Sequence, residues 1–166
     1  MNDLEKLVAA EAIRNANATY WFAMDTKDWE RMASVFADDA IVDMRVEAAF
    51  ANGVKLDPKS LPPVEQALAE SDPAVVRGKI GEFIRGALAN WVTVHQGGAP
   101  IIEITSSSTA RAIWPLNDYI DDGKHSYKGY GHYHNEYRKV GERWLISRMS
   151  LTRLRIDGTH PWAQAR

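Results

Sequence analysis

Cysteine is absent from the 166-residue sequence. Disulfide bonds, thiolate nucleophiles and metal sites with cysteine ligands are therefore excluded for this chain. The sequence also lacks an excess of one charge, because 20 basic and 22 acidic side chains give a formal net charge of −2. Such a balance gives no electrostatic support to nucleic-acid binding or to a role at a membrane surface.

Long apolar runs are missing as well. No stretch is long enough to span a bilayer, and residues 1–6 show no basic segment leading into an apolar one, as a signal peptide would. We therefore expect a cytoplasmic protein without a membrane segment. Hydrophobic residues make up 45% of the chain and charged residues 25%, which is typical of one globular domain spanning 1–166.

Helical spacing dominates the first half of the chain, and strand alternation dominates the second. Apolar residues recur every three or four positions over 3–24, after Trp29 and over 78–89, which predicts helices. A turn at Asp38-Asp39 precedes a predicted strand at 40–45. Further strands are predicted at 91–96, 100–105, 109–119, 127–140 and 143–155. Helices followed by hairpins predict an α+β fold, with N-terminal helices packed on a curved antiparallel sheet that encloses a cavity.

Residues 46–77 interrupt this pattern. Gly53 and prolines 58, 62, 63 and 73 punctuate the stretch, and only 64–71 has the spacing for a helical turn or two. A segment of this length is either a lid or binding loop over the cavity, or a surface excursion. The sequence leaves both possibilities open.

His95 is the first candidate for chemistry. Strand alternation places Trp91, Thr93 and His95 on one face of the strand and Val92 and Val94 on the other. A neutral imidazole on the more polar face is a natural proton acceptor. The alternative is a structural histidine near a strand end.

Asp25 lies between the first two predicted helices. As the N-cap of the second helix, it would form a capping box with Asp28. Its other possible role is to orient His95 and stabilise the protonated imidazole. Carboxylates play this role beside the histidine base of catalytic triads. The sequence alone permits either role or both.

Four segments resemble the SnoaL-like branch of the NTF2-like superfamily. They are 20–30 (YWFAMDTKDWE), 35–40 (VFADDA), 131–137 (GHYHNEY) and 141–146 (GERWLI). The resemblance covers nearly all the chain except 46–77, and it implies a cone-shaped α+β domain. The superfamily includes dehydratases, dehydrochlorinases, isomerases, oxygenase small subunits and binding domains, so the fold alone does not fix the function.

Within that branch, the chain resembles scytalone dehydratase and hexachlorocyclohexane dehydrochlorinase. Both have an aspartate after the first helix and a histidine on the strand after the third, and Asp25 and His95 match these positions. The resemblance implies a histidine base, oriented by a carboxylate, that abstracts a proton for an elimination. The chain departs from these relatives in having Tyr20 where the dehydrochlorinase has lysine, and in having no histidine in 109–119.

The remaining candidate residues are expected to line the pocket. Tyr20 would donate a hydrogen bond to a carbonyl or leaving oxygen, and Asn135 would orient a substrate hydroxyl. The other substrate-binding candidates are Val42, Met44, Thr93, Trp114, Leu116, Tyr133 and Lys139. For the apolar members of this set, packing in the core is the alternative.

His132 and His134 share one face of a predicted strand. They could form part of a metal site, but in the family the face that carries Tyr133 and Asn135 lines the cone. The two histidines would then point outward, toward a sheet-to-sheet dimer contact.

Motifs for phosphate, dinucleotide and zinc binding are absent from the sequence. We therefore expect no metal and no cofactor.

These observations predict a cofactor-independent lyase or isomerase with His95, Asp25 and Tyr20 as catalytic residues. The expected partners are a small, largely apolar or aromatic ligand and a second copy of the chain in a homodimer. The alternatives are a non-catalytic binding domain and a small structural subunit of a ring-hydroxylating oxygenase.

Overall fold

The computed structural model describes residues 1–164. The helices are α1 (Asp3–Asp25), α2 (Trp29–Ala33), α3 (Arg45–Ala51), α4 (Val64–Ala69), α5 (Ile80–Leu88) and α6 (Pro161–Gln164), with a 3₁₀ turn at Pro58–Ser60. The strands are β1 (Phe36–Asp43), β2 (Val75–Arg77), β3 (Val92–Gly97), β4 (Ile101–Ile104), β5 (Thr109–Asp121), β6 (Ser126–Val140) and β7 (Arg143–Gly158). Within residues 1–164, no helix combines the length and apolar character that crossing a membrane requires.

The strands form one curved sheet in the order β2-β1-β7-β6-β5-β3, and β4 pairs with the other end of β5 beside β3. All pairings are antiparallel except that between β1 and β7, which is parallel. The predicted α+β architecture, with N-terminal helices on a curved and mainly antiparallel sheet, is confirmed. The parallel β1–β7 pair is a feature that the sequence pattern did not predict.

The long helix α1 fills the concave side of the sheet. It begins with a capping box, in which the Asn2 side chain accepts from the Glu5 N–H and the Glu5 carboxylate accepts from the Asn2 N–H. Ile13, Tyr20 and Met24 lie on its buried face and join the main hydrophobic core, together with inner-face residues of β5, β6 and β7. This burial fixes the rotation of the helix about its own axis.

The turn predicted at Asp38-Asp39 is wrong. Both residues lie within β1, with exposed side chains. The register of β1 against β7 shifts between Phe36 and Ile41, so two consecutive side chains can face solvent without ending the strand. The Asp39 carboxylate forms an ion pair with Arg138 on β6, which gives this charged side chain a partner on the sheet.

The excursion at 46–77 is more regular than its prolines suggested. It contains most of α3, the 3₁₀ turn, α4 and β2, whereas only α4 was expected. Arg45 anchors its start: its guanidinium donates to Asp43 Oδ1 at 2.9 Å, to Asp43 Oδ2 at 2.8 Å and to the Pro62 carbonyl at 2.9 Å. These bonds tie both ends of the α3–α4 connection to β1.

Candidate active site

A cavity of about 410 Å³ lies between the helices and the inner face of the sheet. Helices α1, α3 and α5 form one side, and strands β3, β5, β6 and β7 form the other. Its apolar wall includes Met24, Phe83, Ile84, Leu88, Ile120 and Leu151. A pocket of this size and character suits a small, mainly apolar ligand.

His95 and Asp25 meet at the wall of this cavity. The Nδ1 atom of His95 lies 2.7 Å from Asp25 Oδ1, and the backbone N–H of His95 donates to Asp25 Oδ2 at 2.7 Å. The carboxylate therefore binds both the ring and the backbone of the same residue. Only 3% of the His95 side chain is exposed, against 22% for Asp25, so the imidazole is held in a largely dry environment.

Thr93 and Lys27 support the carboxylate at the same oxygen atom that binds the imidazole. Thr93 Oγ1 donates to Asp25 Oδ1 at 2.9 Å, and Lys27 Nζ donates to Thr93 Oγ1 at 2.9 Å. Lys27 is in the left-handed region with φ 62°, and burial lowers the pKa of its ammonium group. The chain Lys27–Thr93–Asp25–His95 thus leads from the surface to the cavity and fixes the orientation of the carboxylate.

Asp25 does not cap the second helix. The N-cap of α2 is Asp28, whose side chain accepts from the Arg31 N–H at 3.1 Å. Asp25 is instead the last residue of α1, where the helix dipole disfavours a negative charge. The donors from Thr93 and His95 compensate for this position, so the local contacts of Asp25 are explained by His95 and not by helix capping.

The hydrogen bond at Nδ1 determines what His95 can do. In the neutral ring, donation of the Nδ1 proton to Asp25 leaves the lone pair on Nε2. Within residues 1–164, no hydrogen bond to Nε2 is found. An imidazole with one nitrogen held by a carboxylate and the other unoccupied is arranged to accept a proton.

Two tyrosines lie beside this pair. Tyr20 and Tyr133 are both buried, line the cavity and make an edge-to-face contact with ring centroids 6.0 Å apart. Burial raises the pKa of both hydroxyl groups well above the usual value. Both therefore stay protonated over the physiological range and can serve as hydrogen-bond donors to an oxygen atom in the cavity.

A buried ionic cluster forms another part of the cavity wall. Arg153 donates to Asp118 through Nη1 and Nη2, both at 2.8 Å, and through Nε to the two Glu47 oxygens at 3.0 and 2.9 Å. The side chains of Arg153 and Asp118 are each 2% exposed, and that of Glu47 is 12% exposed. Asp118 also faces His95 across the β3–β5 pairing, which places the cluster next to the imidazole.

Gly129 makes room for this cluster. A Cβ atom at position 129 would overlap both Arg153 Nη1 and Asp118 Oδ1. Both groups are held by a pair of charge-assisted hydrogen bonds, so neither can move aside without breaking one of them. The close approach of backbone and ion pair explains glycine at this point of β6.

The sequence profile of the SnoaL-like domain matches residues 5–150. The chain belongs to the SnoaL-like domain family. Among solved structures, it is similar to hexachlorocyclohexane dehydrochlorinase LinA type 2, with 18% identity, a TM-score of 0.72 and coverage of 95% of this chain and 93% of that chain. A candidate scytalone dehydratase from Novosphingobium aromaticivorans shares 18% identity, with a TM-score of 0.70 and coverage of 94% and 91%.

A candidate aromatic ring hydroxylase from the same organism gives 20% identity and a TM-score of 0.68, with coverage of 92% of this chain and 94% of that chain. At these identities the similarity establishes the fold of this SnoaL-like domain. The resemblance noted from the sequence segments is thereby confirmed as a family assignment.

The SnoaL-like domain brings together only part of the expected site. His95, Asp25 and Thr93 are joined by hydrogen bonds, and Tyr20, Met44 and Tyr133 line the same cavity as His95. Val42 and Leu116 lie outside the cavity lining, in the packed core. Both side chains are buried and face inward from their strands, but they pack in the main core.

Trp114 and Asn135 belong to a buried polar network in the core. Trp114 Nε1 donates to the Tyr137 hydroxyl at 3.0 Å, and Asn135 Nδ2 donates to Asn17 Oδ1 at 3.0 Å and to the Tyr137 hydroxyl at 3.2 Å. Lys139 lies farther along β6, where it pairs with Glu142 at the surface. None of the three is among the residues that line the cavity.

Sequence reasoning missed Glu47, Asp118 and Arg153. The alternation of apolar residues could have indicated two of them. Asp118 shares the inner face of β5 with Leu116 and Ile120. Arg153 follows Leu151 on the inner face of β7. A charge on the apolar face of a strand indicates a buried partner. Glu47 lies in the proline-rich excursion, where no periodicity marked its inward position.

His132 and His134 lie on the outer face of the sheet, on the side of β6 opposite Tyr133. Their rings are 6.4 Å apart, and His134 Nε2 lies 3.0 Å from Thr152 Oγ1. Burial lowers the pKa of His134. Over residues 1–164, no group of three or more histidine or carboxylate side chains is placed to hold a metal ion.

Proposed function

We propose that this SnoaL-like domain is a cofactor-independent lyase or isomerase that acts on a small, largely apolar or aromatic ligand. The observation that carries the proposal is the hydrogen bond between His95 Nδ1 and Asp25 Oδ1 at the cavity wall, which leaves Nε2 to accept a proton. His95 and Asp25 are the proposed base and its orienting carboxylate.

The proposed reaction begins with removal of a proton from a carbon atom next to a carbonyl group. His95 Nε2 takes the proton, and Asp25 stabilises the imidazolium that results. Tyr20, which burial keeps protonated, donates a hydrogen bond to the oxygen on which negative charge develops. The enolate then expels a leaving group from the neighbouring carbon, or regains the proton at a different carbon.

Three features support this assignment over a structural role for the pair. Asp25 accepts three hydrogen bonds although it ends a helix where a carboxylate is disfavoured. The imidazole is nearly dry and lies in the wall of a cavity of about 410 Å³. The structural neighbours also include a dehydrochlorinase and a candidate dehydratase, both elimination catalysts by name.

Proton exchange on a model ketone tests the proposed proton abstraction by His95 without knowledge of the natural substrate. The ketone 2-tetralone is uncharged and bicyclic, and it has acidic C–H bonds next to its carbonyl group. We expect the protein to accelerate exchange of these protons with deuterium from solvent, as followed by proton NMR spectroscopy. Binding of 2-tetralone without faster exchange would overturn the catalytic proposal and favour the binding-domain alternative. Activity that appeared only with a second protein chain would favour the oxygenase-subunit alternative.

The homodimer through the outer sheet face is also a proposal. Ile101 and Ile113 pair across β4 and β5 on this face and are 71% and 37% exposed, which leaves an apolar patch. We expect the wild type to be dimeric by light scattering and Ile113→Glu to be monomeric. A monomeric wild type at the concentrations used for assays would contradict this proposal.

A further inference from the structure

The ionic cluster of Glu47, Asp118 and Arg153 gives the cavity an unusual charge balance. A buried arginine in an apolar cavity commonly binds an anionic ligand, because its fork of N–H groups matches a carboxylate. Here both the Nη1–Nη2 edge and the Nε atom of Arg153 are already occupied by carboxylates of the protein itself. An anionic ligand would have to displace one of them.

The formal charges of the described residues that line the cavity sum to a net negative charge. Arg153 supplies the single permanent positive charge among them, and Glu47 and Asp118 supply two negative charges. Asp25 adds a further negative charge behind His95, offset in part by Lys27. A ligand carboxylate placed in the cavity would therefore meet net repulsion, strengthened by the low exposure of these groups.

Glu47 is the source of the excess charge. Asp118 and Arg153 form a matched pair with two parallel hydrogen bonds of 2.8 Å, so their charges largely cancel. Glu47 approaches the same guanidinium from α3, through the single Nε donor. Burial raises the pKa of Glu47, and Arg153 opposes this shift.

We infer that Glu47 determines the charge selectivity of the cavity, which binds uncharged ligands and excludes carboxylates. The inference rests on the proposed function only in taking this cavity as the ligand site, since it requires no turnover. It makes Glu47 a specificity-determining residue, supplied by the excursion at 46–77 and held over the cavity by Arg153.

Two probes of the same ring system test the inference. The amide 2-naphthamide and the carboxylate 2-naphthoate differ little in size, but only the second is charged at neutral pH. By isothermal titration calorimetry, we expect the wild type to bind the amide at least roughly tenfold more tightly than the carboxylate. In Glu47→Gln, the affinity for the carboxylate is expected to rise by a similar factor, while affinity for the amide stays nearly constant.

The variant Glu82→Gln is the matched control, since it removes one negative charge from an exposed position on α5. It is expected to keep the wild-type ratio of affinities. If Glu47→Gln does not fold, as judged by circular dichroism, Glu47→Ala removes the same charge without placing an amide against Arg153 and carries the same expectation. An unchanged ratio in the folded variant, tighter binding of 2-naphthoate by the wild type, or binding of neither probe would overturn the inference.

The outcome is separable from that of the proton-exchange experiment. Loss of selectivity in Glu47→Gln together with no exchange on 2-tetralone would establish a charge-selective binding cavity without the proposed catalysis. Exchange on 2-tetralone with an unchanged affinity ratio would retain the catalytic proposal and remove Glu47 from the determinants of specificity.

Discussion

Replacement of His95 by glutamine is expected to reduce proton exchange on 2-tetralone by about 10²- to 10⁴-fold, the range that a general base commonly contributes. Glutamine can still fill much of the space of the imidazole and hydrogen-bond to Asp25, but its side-chain amide cannot accept a proton near neutral pH. The measurement is the exchange rate at saturating ketone, with 2-tetralone binding determined separately. We expect binding to change little, because His95 forms only part of the cavity wall.

Asp25→Asn should lower the same rate, because an amide cannot stabilise the imidazolium as a carboxylate does. Its control is Asp28→Asn, three residues away, where the side chain caps α2 and pairs with Arg31 at the surface, and where asparagine caps equally well. A residual rate in His95→Gln equal to that of the wild type would remove His95 from the mechanism. Equal losses in Asp25→Asn and Asp28→Asn would show that Asp25 acts through folding alone.

Replacement of Arg153 by methionine is expected to lower the free energy of unfolding by about 3–5 kcal/mol, the usual result of removing one partner from a buried ionic group. Methionine fills part of the volume but leaves Glu47 and Asp118 facing each other without a cation. The side chains of Arg153 and Asp118 are each 2% exposed, so the two carboxylates would be left with poor solvation in place of the lost hydrogen bonds. Urea denaturation followed by tryptophan fluorescence measures the loss.

Arg155→Met is the matched control for this experiment. Arg155 lies two residues farther along β7, is 66% exposed and pairs with Asp157 at the surface. Exposed ion pairs contribute little, so this variant should unfold close to the wild-type midpoint. A similar loss in both variants would mean that the cluster at Arg153 contributes no more than a surface pair.

The loss in Arg153→Met should also depend on pH. Burial already raises the pKa of Glu47, and Arg153 is the group that lowers it, so removing Arg153 raises it further. A carboxyl group with a pKa raised by folding binds more protons in the folded state than in the unfolded state. Folding is therefore favoured at low pH and loses this contribution as pH rises through the folded-state pKa. The gap between variant and wild type is expected to narrow from about pH 7 to about pH 5.

The fold was predictable where a segment is long and strictly periodic. Strands β5, β6 and β7 carry enough repeats to mark their buried faces, whereas the spacing in α1 predicted the helix but included Leu4, Leu7 and Val8, which are exposed. The parallel β1–β7 pairing was not predictable, because it joins segments about a hundred residues apart and leaves no local pattern. The helix α3 was missed because seven residues amid glycine and prolines give too few repeats.

Local sequence patterns did not reveal which residues of the site lie together. His95 and Asp25 are 70 residues apart, and only the resemblance to a family connected them before the fold was known. The cluster of Glu47, Asp118 and Arg153 joins three elements with separations of 106 and 35 residues. Its polar groups are complementary only in three dimensions, so the sequence could mark Asp118 and Arg153 as anomalous without naming their partners.

The position of Asp25 as the last residue of α1 limits how this chain can change during evolution. An α-helix turns by about 100° per residue, so one inserted or deleted residue between Ile13 and Asp25 would rotate either the core face or the carboxylate away from its partner. The connection between α3 and α4 carries no such constraint. Related chains should therefore vary in length after β1, whereas the spacing from the core of α1 to its final carboxylate should stay constant.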